Sequence, residues 1–203
     1  MMHLKTIVVI AGRNHRVFCG LLFLLLSVTL RSQTSAPDVK NATDSSGSFL
    51  ERYYKIRDTY PDLESVHGNF SAANCSLEQF IKKYHEIKAA YPKLGHAFGD
   101  YAGSHYNLSQ FIKRYYRMKD PYKADPSYYG DFAGCDQSMT QFTKRYNQIK
   151  AASPDMKEAW GQYAACDYTL EEFMKRYFEA KESVTGMKTG FGEYAGCTKR
   201  LFQ

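Results

Sequence analysis

Steps of 31 residues from Phe49 land on Phe80, Phe111, Phe142 and Phe173, with no insertion anywhere. Four residues beyond each stands a tyrosine: Tyr53, Tyr84, Tyr115, Tyr146 and Tyr177. Four beyond each tyrosine stands a basic residue: Arg57, Lys88, Lys119, Lys150 and Lys181. A second signature keeps the same register: His67-Gly68-Asn69-Phe70, Phe98-Gly99-Asp100-Tyr101, Tyr129-Gly130-Asp131-Phe132, Trp160-Gly161-Gln162-Tyr163 and Phe191-Gly192-Glu193-Tyr194. A fixed period of this kind marks a repeat architecture, where one supersecondary unit buries its apolar face on its neighbours.

The local signals are helical. Ser76-x-x-Gln79, Ser138-x-x-Gln141 and Thr169-x-x-Glu172 are capping boxes, and Asn107-x-x-Gln110 is a near variant. After Ser76, the residues Leu77, Phe80, Ile81, Tyr84 and Ile87 follow the spacing of one helix face. Pro61, Pro92 and Pro154 end three such segments, since the residue before proline avoids helical geometry. The stretch from Leu94 to Ala102 suits a second, shorter helix folding back on the first. Its repeated glycine costs a helix about 1 kcal/mol against alanine, which implies a turn or a close backbone approach.

The expected fold is therefore all-α: five tandem 31-residue helix hairpins, phased 45–75, 76–106, 107–137, 138–168 and 169–199, in a solenoid-like or compact array. In this phasing the first helix starts at Ser45 and lacks a capping box, and residues 200–203 begin a truncated sixth copy. The glycine-tyrosine pattern and large aromatic resemble the tetratricopeptide family. Here, however, the period is 31, against about 34 in that family. The resemblance implies paired helices and no mode of binding.

Residues 1–36 read as a signal peptide and its cleavage region: Lys5, Arg13 and Arg16 precede the apolar run Val17–Leu30. That run is shorter than the roughly 20 apolar residues of a spanning helix. Residues 37–44 read as a flexible lead-in. The formal charge of +6 belongs mostly to the leader: all 21 acidic residues lie beyond position 32, together with 23 of the 27 basic ones. Such a balance gives no reason to expect nucleic acid, or a membrane beyond the signal segment. Four of the six asparagines open an N-x-S/T acceptor for glycosylation, Asn41, Asn69, Asn74 and Asn107. The mature chain is expected to be secreted and extracellular.

Cys75, Cys135, Cys166 and Cys197 are candidate disulfide partners in that setting. Equivalent positions on stacked helices stand about 8–10 Å apart, beyond the roughly 7 Å that a disulfide tolerates, so two intrachain bridges conflict with an ideal ladder. No spacing of histidine, cysteine or carboxylate suggests a metal, cofactor or catalytic group, and no enzyme activity is expected.

Three functional readings remain. In the first, a non-enzymatic glycoprotein acts by binding or as extracellular structural material, through the basic ladder Arg57, Lys88, Lys119, Lys150 and Lys181. Its partner would be an extracellular protein or matrix component of acidic character, or a second copy of the chain. In the second, the recurring pairs Lys82-Lys83, Lys113-Arg114, Lys144-Arg145 and Lys175-Arg176 are cleavage sites of a polyprotein precursor that releases tyrosine-rich peptides. In the third, the tyrosines crosslink a matrix or adhesive.

Overall fold

The computed structural model describes residues 46–120 and 126–203. The signal segment 1–36, the lead-in 37–44, Ser45 and the acceptor Asn41 lie outside them. All of the described residues belong to one compact unit.

Ten α-helices alternate long and short, and no β-strand occurs among the described residues. The long helices are α1 (Phe49–Thr59), α3 (Leu77–Ala90), α5 (Leu108–Lys119), α7 (Met139–Ala152) and α9 (Leu170–Ser183). The short ones are α2 (His67–Ala72), α4 (Phe98–Gly103), α6 (Tyr129–Gly134), α8 (Trp160–Ala165) and α10 (Phe191–Gly196). Capping boxes start α3, α5, α7 and α9 at Ser76, Asn107, Ser138 and Thr169. The first helix differs from its expected start. Its cap is Ser48, boxed with Glu51, three residues later than the periodic phase. None of the described helices is long and apolar enough to cross a membrane.

Each long helix packs on the short helix that follows it, and each short helix touches the next; α10 also touches α2, so the cycle of contacts closes. Aromatic rings fill both seams. Within a helix pair the tyrosine of the long helix meets the first aromatic of the short one edge-on: Tyr84–Phe98 at 5.6 Å, Tyr115–Tyr129 at 5.6 Å, Tyr146–Trp160 at 5.8 Å. Between pairs, the phenylalanine meets the aromatic ring of the preceding short helix: Phe80–Phe70, Phe111–Tyr101, Phe142–Phe132 and Phe173–Tyr163, at 5.3 to 5.4 Å. Phe49 completes the set on Tyr194, also at 5.4 Å. All five phenylalanines are fully buried. The periodic Phe–Tyr stripe is thus the seam of the fold, and edge-to-face geometry adds about 0.5–1.5 kcal/mol per pair beyond burial.

In three short helices the repeated glycine lies against the polar side chain of the short helix before it. A β-carbon on Gly99 would run into Asn69, one on Gly130 into Asp100, and one on Gly161 into Asp131. Across the closure, a β-carbon on Gly68 would lie 2.6 Å from the Cα of Gly190. Gly190 itself has φ +96°, a conformation that favours glycine.

Residues 200–203 do not begin another helix. Phe49 N–H donates to Arg200 O at 2.9 Å and Leu50 N–H to Leu201 O at 3.3 Å. Leu201 is buried beside Phe49, Leu50 and Tyr194. The segment expected to start a sixth copy instead supplies the first turn missing from α1.

Candidate functional site

The short helices bring one polar side chain each, from the position after the repeated glycine, to a shared cavity of about 200 Å³. These are Asn69, Asp100, Asp131, Gln162 and Glu193. Much of the remaining lining is small residues, Ala72, Gly99, Gly103, Gly134, Ala165 and Gly196. Ala73, Ser104, Cys135, Cys166 and Cys197 also line it. Among the described residues, no lysine, arginine or histidine lines the cavity.

The ring is asymmetric. Asn69 Nδ2 donates to Asp100 Oδ1 at 2.9 Å. Gln162 Oε1 is buried and has no hydrogen-bond partner. Removal from water, with the nearby Glu193 charge, pushes Asp100 up to about 7 against the pull of Asn69. Asp131 rises for the same first reason, reinforced by Asp100 and Glu193, and Glu193 rises by burial. Three half-buried carboxyl groups line one cavity without a basic neighbour, so each disfavours ionisation of the others.

The second basic residue of every dibasic pair has a structural use that sequence reading missed. Arg114 donates to the carbonyls of Phe132, Ala133, Cys135 and Gln137, and lies over the Phe132 ring at 4.7 Å. Arg145 donates to Tyr163 O and Tyr168 O; Arg176 to the carbonyls of Tyr194, Ala195, Cys197 and Lys199. Lys83 reaches Ser104 O and Tyr106 O, and the buried Arg52 takes the same role on α2. A cation at the carbonyl end of a short helix satisfies acceptors the helix cannot. The first members, Lys82, Lys113, Lys144 and Lys175, are exposed.

The disulfide expectation is not met, because Cys75, Cys135, Cys166 and Cys197 are free thiols. The last three follow successive short helices around the cavity. Each turns its S–H back to the carbonyl three residues earlier, at 3.3 to 3.5 Å. Burial raises all four thiols, Cys135 to about 12, which keeps them protonated and unreactive at neutral pH.

The basic ladder lies on the outer helices, exposed, and holds its charges near aromatic rings. Lys88 stands 5.7 Å from Tyr84, Lys119 5.4 Å from Tyr116, Lys150 5.5 Å from Trp160 and Lys181 5.7 Å from Tyr177. Arg57 lies over Tyr54 and pairs with Asp58. The structure therefore separates the ladder from the ring carboxylates. Asn74 and Asn107 are exposed, whereas Asn69 lines the cavity and its amide nitrogen is the one given to Asp100. Among the described residues no group of histidine, cysteine and carboxylate side chains is placed to hold a metal ion.

The missed signal was present in the sequence: one position of the short helix is polar in every copy, between a glycine and an aromatic residue. No protein-family model, curated protein or solved structure matches the chain.

Proposed function

We propose that the chain is a secreted, non-enzymatic repeat glycoprotein that works by binding, its five 31-residue helix hairpins closed in a ring around one ligand site. The observation that carries this reading is the convergence of five polar side chains on one small-walled cavity that no basic side chain lines. Carboxyl groups drawn out of water without a partner cation are costly, so their retention at a cavity favours a ligand. The exposed acceptors Asn74 and Asn107 are the candidate glycan carriers, and the outward basic ladder is the surface offered to an acidic extracellular partner.

The other two readings gain less. The second basic residue of each pair is engaged with backbone carbonyls inside a helix, which weighs against cleavage of the folded chain. The recurring tyrosines Tyr53, Tyr84, Tyr115, Tyr146 and Tyr177 are buried, which weighs against their crosslinking.

The test compares secreted wild-type protein with Ala165→Leu, which narrows the cavity wall. Thermal melting is followed against small molecules grouped as cations, anions and neutral donors. At least one group should raise the wild-type melting temperature and leave Ala165→Leu unmoved. Equal responses throughout would remove the cavity as a ligand site. Intact mass of the secreted product should show one glycosylated chain; fragments one repeat long would favour the precursor.

A further inference from the structure

Beyond the binding reading, we propose that the Arg200–Leu201 peptide bond is a processing site, where a serine endoprotease specific for paired basic residues cuts and unlatches the ring. Five basic pairs stand in the sequence: Lys82-Lys83, Lys113-Arg114, Lys144-Arg145, Lys175-Arg176 and Lys199-Arg200. The first four lie inside the capped helices α3, α5, α7 and α9. Their second members, Lys83, Arg114, Arg145 and Arg176, hold carbonyls 18 to 23 residues ahead. An endoprotease reads its substrate in extended form, so at each of these pairs a helix must open first. The fifth pair differs. It follows the end of α10 at Gly196, in irregular backbone, and the Arg200 side chain is exposed. Exposed segments of this kind are where proteolytic nicking concentrates, and the acidic subsite of such a protease takes the guanidinium as a charged partner.

The cut falls at the root of the closing strap. Beyond the bond, Leu201 is buried with Phe49, Leu50 and Tyr194, and its carbonyl accepts from Leu50 N–H at 3.3 Å. Gln203, further on, donates its carboxamide to Glu51. On the near side, Lys199 O stays bound to Arg176 at 2.9 Å, and Lys199 Nζ to Asn74 Oδ1 at 3.2 Å. Hydrolysis breaks the C–N bond between Arg200 and Leu201. The hydroxyl of water goes to the Arg200 carbonyl carbon and its hydrogen to the Leu201 nitrogen. At neutral pH the new ends are a carboxylate and an ammonium. An ammonium in the buried setting of Leu201 is costly, so the severed strap leaves and does not dock again. Phe49 and Leu50 then lose its cover. In the closed ring Arg200 O accepts from Phe49 N–H, so the bond is presented only when the strap lifts, and the rate of cutting follows the open fraction.

The test incubates the intact, folded chain with a subtilisin-like endoprotease specific for paired basic residues, followed by intact mass and thermal melting. The first product should be the chain cut after Arg200, ahead of any fragment one repeat long. It should melt at least about 4 °C below the uncut chain, the shift for a lost buried leucine in a domain of this size. Arg200→Gln keeps the backbone carbonyl and should slow this cut by at least about tenfold, leaving the melting of the uncut chain unchanged. Leu201→Ala, which loosens the strap, should speed it. Circular dichroism checks that each variant is folded, and the order of products in the wild type needs no variant. First cuts after Lys83, Arg114, Arg145 or Arg176 would overturn the proposal in favour of a precursor of one-repeat peptides. No cut in the folded chain would overturn it by showing the strap closed to the protease. A cut after Arg200 that leaves melting unchanged would overturn it as well, since the strap would then not hold the ring.

Discussion

Phe49 N–H donates to Arg200 O at 2.9 Å, across 151 residues of chain, and repeats the bond that Phe80 N–H makes to Ser76 O at 3.0 Å within one helix. Phe111 to Asn107, Phe142 to Ser138 and Phe173 to Thr169 do the same. Ser48 caps the first helix, and Arg200 adds from the far end of the chain the carbonyl that the cap residue supplies in the other long helices, while Leu201 takes the position held elsewhere by Leu77, Leu108, Met139 and Leu170. The carboxamide of Gln203 reaches Glu51 in the same turn.

The closure should therefore be worth as much as an ordinary core contact. Leu201 is 3% exposed, so Leu201→Ala should cost about 2–5 kcal/mol in a urea unfolding experiment. Phe202, 52% exposed, should tolerate alanine within about 0.5 kcal/mol. Equal stability of the Leu201 variant and the parent would mean that the cycle holds without this strap.

Glycine placement gives a sharper contrast. A β-carbon on Gly68 would press on the backbone of Gly190, which cannot rotate aside, and Gly68→Ala should cost about 1–3 kcal/mol. Gly95 meets nothing within 4 Å, and Gly95→Ala should be neutral or stabilising by up to about 1 kcal/mol. Chemical denaturation of the two variants in parallel reads the difference. Similar losses at both would assign the repeated glycine to chain flexibility and not to close approach.

How far the sequence spoke for itself follows from the range of each interaction. The capping boxes at Ser76, Asn107, Ser138 and Thr169, and the buried Phe–Tyr stripe, depend on residues within a turn of each other and were legible. The start of α1 was misplaced because the period pointed to Ser45, while the local Ser48-x-x-Glu51 box decided the geometry. Closure was not legible, since the rotation from one helix pair to the next is set by packing and leaves no motif. The polar ring went unread for the same reason: without closure, Asn69, Asp100, Asp131, Gln162 and Glu193 have no common space to share.

The dibasic pairs should behave as two different residues. Arg145 reaches carbonyls 18 and 23 residues ahead and lies 4.2 Å from the Tyr163 ring. Arg145→Ala should cost about 1.5–3 kcal/mol, the range for hydrogen bonds to a charged group. Exposed Lys144→Ala should stay within about 0.5 kcal/mol. Trypsin offers an independent readout: in the folded chain, cleavage after Arg145 should lag well behind cleavage after exposed Lys157. Rapid cutting at Arg145 would show that its helix opens readily and would restore weight to a precursor.

The half-buried ring makes stability depend on pH with a definite sign. Asp100 is raised to about 7, and Asp131 and Glu193 are raised in the same direction, all first by removal from water. Facing them from the packed short helices are, among the described residues, only Asn69, Gln162, the thiols of Cys135, Cys166 and Cys197, and each other. The folded state thus holds protons that the unfolded chain releases near pH 4. The stability from this ring is full below about pH 4 and is lost as pH climbs through about 7. Unfolding in urea between about pH 5 and pH 8 should show a falling midpoint, with other groups superimposed. Asp100→Asn keeps the acceptor for Asn69 and removes the charge, so it should flatten that fall and stabilise the chain most at the alkaline end. A variant that tracks the parent at every pH would mean that Asp100 ionises freely in the fold, with water reaching the ring.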